Sequence, residues 1–188
     1  MISRRLLRIK LLQILFAYFK SDNSSYTNSE KELFFSINKT YELYHFLLIL
    51  IVDIVNYTES KIDIAKQKRI PTYSDLNPNT KLITNKVVEQ IRLNQDLIKY
   101  TNNKKLSWIN YPELIKSIYN NIIASEDYQN YLSDEELSYK SDKKFIINVF
   151  EKYIATSELL HQILEEQSIY WNDDTEFVII MIIKTNCL

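Results

Sequence analysis

The chain of 188 residues is 46% hydrophobic and 25% charged, a balance that suits one folded domain or two small ones and argues against disorder over most of its length. Its glycine count is zero, which excludes phosphate-cradling loops, dinucleotide-binding fingerprints and nucleophile elbows, because each needs backbone that approaches a ligand closely or adopts positive φ. The formal net charge of −1 conceals a gradient: residues 1–20 hold five basic and no acidic side chains, whereas residues 121–188 hold five basic against 13 acidic ones, so any polyanion site is local to the N-terminus.

Helical periodicity dominates and no alternating stretch of useful length occurs, which predicts an all-α multi-helix bundle. The first helix is expected at about 3–20. At about 100° per residue, Arg4, Arg5 and Arg8 cluster on one side, and Leu12, Leu15 and Phe19 continue the same sector. Lys10, Gln13, Ala17 and Lys20 form a narrow polar or small strip elsewhere. The pattern predicts a helix central to the bundle, with its arginine end projecting at the rim. After the polar loop "SDNSSYTNS", Thr27 or Ser29 with Glu30 or Glu32 starts a second helical stretch that reaches about Arg69 and divides near Asn38 and Thr40. Its "FLLILIV" at 46–52 is far shorter than the roughly 20 apolar residues a membrane span needs, and Asp53 interrupts it, so it reads as a core helix.

Pro71 and Pro78 mark 71–79 as a linker between helices in 1–70 and an additional helical layer in 80–188, packed with the first part as one unit. Helices are expected near 80–101, 112–132, 134–139 and 141–167, with Ser133 and Glu136 as a capping pair. In a chain without glycine, Asn, Lys or Asp should take the left-handed position at helix ends. A last helix starts near Asp174, and its "FVIIMIIKTNCL" is so apolar that either it docks on the preceding bundle or the chain has been cut from something longer.

Cys187 is the one cysteine, so no intrachain disulfide is possible and a reducing, cytoplasmic setting is expected. The N-terminus has the charge order of a signal peptide, but Gln13 breaks the apolar run and "YFKSDNSS" offers no small-x-small cleavage site. His45 and His161 lie far apart in sequence, and no metal or cofactor is expected. The pairs Glu135 with Glu136, Glu165 with Glu166 and Asp173 with Asp174 read as solvated helix ends, and no catalytic constellation or enzyme activity is expected. Asp53 is either a solvent-facing position or a partner for a basic residue of the first helix. Trp108, Tyr111 and Tyr119, near Lys104 and Lys105, could stack on bases but fit packing between helices better. "SIYWNDD" at 168–174 has acidic neighbours that suit a basic protein partner.

Arginines at a helix N-terminus oppose the macrodipole, so local helix stability does not explain them. Free backbone N–H groups and guanidinium forks together make a compact polyanion site, and arginine also stacks on unpaired bases, which favours single-stranded RNA. "RRLLRIKLLQILFAYF" resembles the opening helix of the NusB transcription antitermination family, whose arginine-rich start runs into an apolar stretch written around L-Q-x-L-Y; Gln13, Leu15 and Phe16 occupy that motif. Arg4, Arg5 and Arg8 match family arginines implicated in RNA binding, whereas Leu6 stands where many members have another arginine. The stretch "EKELFFSINKTYELYHFLLILI" is similar to a long bacterial variant with large helical insertions, while the family's C-terminal "FVNGVLD"-like motif does not occur in these residues. The resemblance implies a non-enzymatic RNA-binding factor of transcription antitermination. Such a factor takes boxA-type single-stranded RNA with the ribosomal protein NusE, notably on ribosomal RNA operons. The expected RNA-binding residues are Arg4, Arg5 and Arg8, with Lys10 and Lys20 adding charge, and no membrane is expected as a partner. The competing reading is a helical protein–protein interaction module whose basic first helix is incidental or meets an acidic protein.

Overall fold

The computed structural model describes residues 4–21, 25–134 and 138–184. Its elements are α1 (Arg4–Lys20), α2 (Tyr26–Lys66), α3 (Tyr73–Leu76), α4 (Lys86–Arg92), α5 (Gln95–Lys104), α6 (Pro112–Ile123), α7 (Glu126–Ser133), α8 (Tyr139–Val149), a π-helical segment (Phe150–Ile154), α9 (Glu158–Gln167) and α10 (Thr175–Lys184). Among the described residues there is no strand, and the architecture is an all-α multi-helix bundle.

The spine is α2, a helix of 41 residues. Leu43, Leu47, Leu50, Ile51 and Ile54 recur along it at three- and four-residue steps, and Phe46, Leu48 and Val55 are buried as well, so its middle is enclosed on nearly every side. By length and composition α2 could cross a bilayer, but this apolar middle is covered by other helices of the chain: α4, α5, α6 and α10 all pack on α2. One continuous core joins α2 to Val87, Ile118, Ile146, Leu160 and Val178 of the later helices. The expected division near Asn38 and Thr40 does not occur. The Thr40 hydroxyl lies 3.1 Å from the Ser36 carbonyl, one turn back, so a residue type that often caps a helix sits inside this one instead.

Downstream, the expected long helices are shorter because cap residues interrupt them. Asn85 accepts from the backbone N–H groups of Val87 and Val88, and Asn94 from those of Asp96 and Leu97, splitting the helix expected at 80–101 into α4 and α5. Ser125 separates α6 from α7, and Ser157 starts α9 after the π-helical segment. Ser133 bonds back to the Asn130 carbonyl rather than capping a new helix, and its supposed partner Glu136 lies outside the described residues. The stretch expected as a linker at 71–79 contains α3, held by a reciprocal capping box of Thr72 and Asp75. Lys68 and Thr72, bonding to the Asp75 carboxylate, hold it down at about 2. Left-handed helix ends are also scarcer than expected. Among the described residues Lys105 alone has positive φ, at 55°. Leu93 and Ala124 keep right-handed conformations and pass straight into the next cap residue, so no glycine is needed. The last helix docks: Val178, Ile179 and Ile182 of α10 are buried against the core.

Trp108 closes the core. It is fully buried, stacks on Phe46 with centroids 3.8 Å apart, and donates from Nε1 to the Phe46 carbonyl at 2.8 Å. Burial raises the Asp53 carboxyl above its ordinary range, and Asn56 and the Trp108 backbone N–H bond to it. Trp108→Ala should cost about 3–5 kcal/mol in urea unfolding. A second expectation concerns His45, buried beside Tyr41, Tyr44 and Tyr100 and stacked on Tyr100 at 4.1 Å. Burial pushes its imidazole below the ordinary value of 6.5. The unfolded chain therefore binds the proton more readily, and this contribution to stability is lost as pH falls below 6.5. His45→Gln should flatten the fall in urea midpoint between about pH 7 and 5.5 relative to the parent chain.

Candidate functional site

The arginine-bearing helix is placed by one buried polar contact. Lys10 Nζ lies 2.8 Å from Asp174 Oδ2, with the two side chains 4% and 3% exposed. Thr40 Oγ1 donates to the same carboxylate oxygen at 2.5 Å. The three groups come from α1, α2 and the residue preceding α10. Gln13 Nε2 adds a bond to Asp173 Oδ2 at 3.2 Å. The acidic segment 168–174 forms a strap along α2: the Trp171 indole N–H donates to the Lys39 carbonyl at 2.8 Å, and the Tyr170 hydroxyl bonds to Glu32. A lysine and an aspartate so deeply buried demand each other, because either left alone would be an uncompensated charge in the interior.

The pair fixes the rotation of α1. Its inward row is Leu6, Lys10, Ile14 and Tyr18 at strict four-residue steps. The sector holding Leu12, Leu15 and Phe19 consequently faces away from the bundle, with Leu12, Phe16 and Phe19 exposed by 69%, 64% and 78%. This corrects two expectations. The helix is peripheral rather than central, since burial of Lys10 turns the apolar sector outward. Lys10 itself is committed to Asp174 and does not add charge to a ligand site. The reading of Asp173 and Asp174 as a solvated pair fails for Asp174. Asp53 is not the acid that meets α1, being engaged with Asn56 and the Trp108 loop.

Arg4, Arg5 and Arg8 are all exposed. Arg4 and Arg8 lie one turn apart on the outer side, in line with Leu15 and Phe19. Arg5 is turned toward α10, where it lines a groove of about 250 Å³ with Asp173 and Glu176. Lys20 is exposed at the other end of the helix, roughly 24 Å of helical rise from Arg4, with its ammonium 5.9 Å from the Phe16 ring centre. Arg4 and Arg8 thus share the outer side of the first two turns, whereas Arg5 faces an acidic groove and Lys20 stands apart at the other end.

Beside them runs an apolar groove of about 270 Å³ between the outer flank of α1 (Leu11, Leu15, Phe19) and the start of α2 (Tyr26, Leu33, Phe34). Sequence reading missed the groove and the Lys10–Asp174 pair. The available signal was a lysine sharing a four-residue row with Leu6, Ile14 and Tyr18, which is the face that proves buried.

The remaining candidates belong to packing. Trp108 is core, Tyr111 makes an edge contact with it, and Tyr119 an edge contact with Tyr57. His45 bonds to the Tyr41 carbonyl and His161 to the Ala155 carbonyl. Among the described residues no group of three or more His, Cys, Asp or Glu side chains is placed to hold a metal ion. Cys187, Glu135 and Glu136 lie outside the described residues. No family model, curated protein or solved structure matches the chain.

Asp174→Ala strands the Lys10 ammonium and should destabilise the protein by about 3–5 kcal/mol. The double variant Lys10→Met with Asp174→Leu should recover most of that loss in denaturant unfolding followed by tryptophan fluorescence, because it removes both charges together.

Proposed function

We propose that this chain is a non-enzymatic RNA-binding protein that takes single-stranded RNA at the arginine end of α1, in the manner of the NusB antitermination factors whose opening motif residues 4–19 resemble. The observation that supports the reading is the exposure of Arg4, Arg5 and Arg8 in the first two turns of α1, with Arg4 and Arg8 on its outer side. None of the three makes an ion pair among the described residues, so their charge is available. The first turn has no acidic side chain to offset the dipole or the guanidinium groups, and an anion there gains from both. Guanidinium planes also stack on unpaired bases, which suits single strands such as boxA-type RNA. On this reading the protein acts in the cytoplasm, in antitermination on ribosomal RNA operons and together with NusE.

A second reading, the helical interaction module, is favoured by a separate observation, the exposed apolar row of α1. Large contiguous apolar surface commonly marks a protein contact. The two readings use neighbouring parts of one helix.

Fluorescence anisotropy of a labelled boxA-type RNA should show binding that weakens with salt, with a log–log slope of about −2 to −3 for contacts from Arg4, Arg5, Arg8 and Lys20. The triple variant Arg4→Ala, Arg5→Ala and Arg8→Ala should lose about tenfold or more in affinity, with a shallower slope. Equal binding by the parent and the triple variant would remove the arginine end as the RNA site.

A further inference from the structure

We propose that the groove between α1 and α2 is the docking site for an amphipathic helix of another protein, one that carries acidic residues in its first turn and lies parallel to α1. The apolar part of the site is the groove of about 270 Å³ together with the outer row of Leu12, Phe16 and Phe19. From Leu12 to Phe19 the row spans about two turns, a length that matches helix-in-groove recognition through anchors at three- and four-residue steps. Aromatic side chains stand on both banks, Tyr18 and Phe19 on α1 with Tyr26 and Phe34 on α2, and such residues supply the anchoring contacts of protein interfaces.

Charge selects the occupant. The α1 sequence RRLLRIKLLQILFAYFK contains no acidic residue, and Glu30 of α2 lines the far end of the groove, so a second copy laid parallel on this face would bring arginine against arginine. Arg4 and Arg8 continue the apolar row toward the N-terminus of α1, and the partner must therefore place anionic groups there and apolar ones further along. Carboxylates are best tolerated in the first turn of a helix, where they meet the positive end of the dipole. A partner helix with its acidic first turn beside Arg4 and Arg8 then runs in the same direction as α1. Because this contact uses two of the arginines offered to RNA, docking and RNA binding compete at that end while the apolar row serves the helix alone.

The test uses the full chain and a synthetic amphipathic helical peptide of about 18 residues, with Leu at three- and four-residue steps and Glu in its first turn. A matched peptide with Lys in the first turn and another with the Glu residues moved to the last turn serve as controls. Anisotropy should show the Glu-first peptide binding about tenfold more tightly than the Lys-first one, and more tightly than the Glu-last one. Leu15→Glu with Phe19→Glu, both at exposed positions, should abolish peptide binding while circular dichroism stays at the parent level. The triple arginine variant should erase the difference between the Glu-first and Lys-first peptides.

Equal affinity for those two peptides would overturn the proposal, as would peptide binding that survives Leu15→Glu with Phe19→Glu. Self-association of the parent chain in sedimentation, lost in that same variant, would also overturn it by assigning the face to a second copy. Failure of RNA to bind, with peptide selectivity intact, would sink the RNA reading and leave the docking site standing.

Discussion

The enclosure of the middle of α2 is the constraint on which the rest of the fold depends. A helix with Leu43, Phe46, Leu47, Leu48, Leu50, Ile51, Ile54 and Val55 buried on several faces cannot stand at a surface, and α4, α5, α6 and α10 are arranged to cover it. A helix of 41 residues is about 62 Å long. Its first third extends beyond that cover, and there α1 and the 168–174 strap lie against it instead. The apolar surface that remains open is concentrated at this extension, where Tyr26, Phe34 and Phe35 face outward beside the exposed row of α1.

How α1 lies on that extension is decided by charge rather than by hydrophobic area. The sector holding Leu12, Leu15 and Phe19 is the more apolar one, and burial of apolar surface alone would turn it inward. The Lys10 ammonium, bonded to Asp174 and bordered by Thr40, selects the opposite rotation. Buried ion pairs contribute little net stability but penalise every arrangement that leaves one partner alone, so they specify register. The same rotation places Arg4 and Arg8 on the outer side in line with the apolar row, and turns Arg5 toward the acidic edge at Asp173 and Glu176.

One helix therefore presents two chemistries in series, a cationic start and an exposed apolar second half. The arginines oppose the dipole of their own helix, a local cost that is offset only when something anionic sits there. The apolar row exposes large side chains, a cost in solubility that is offset only when something covers it. Neither α1 nor the part of α2 before Leu43 contributes a residue to the Trp108-centred core, so a ligand at either place need not disturb what holds the bundle together.

The sequence by itself determined the helical class, the first helix and its end at Lys20, the start of α10 and the core character of 46–52, because these follow from local periodicity and from apolar side chains that must be buried somewhere. It also marked Arg4, Arg5 and Arg8, since cations at a helix start have no local explanation. It did not reveal that Thr40 lies inside a continuous helix or that Asn94, Ser125 and Ser157 interrupt longer ones, because these residue types serve equally as caps and as interior back-bonding groups. Only the tertiary structure decided which face of α1 is buried. That choice rests on a contact between residues 10 and 174, and the periodicity of one helix carries no information about a charge that meets it from the far end of the chain.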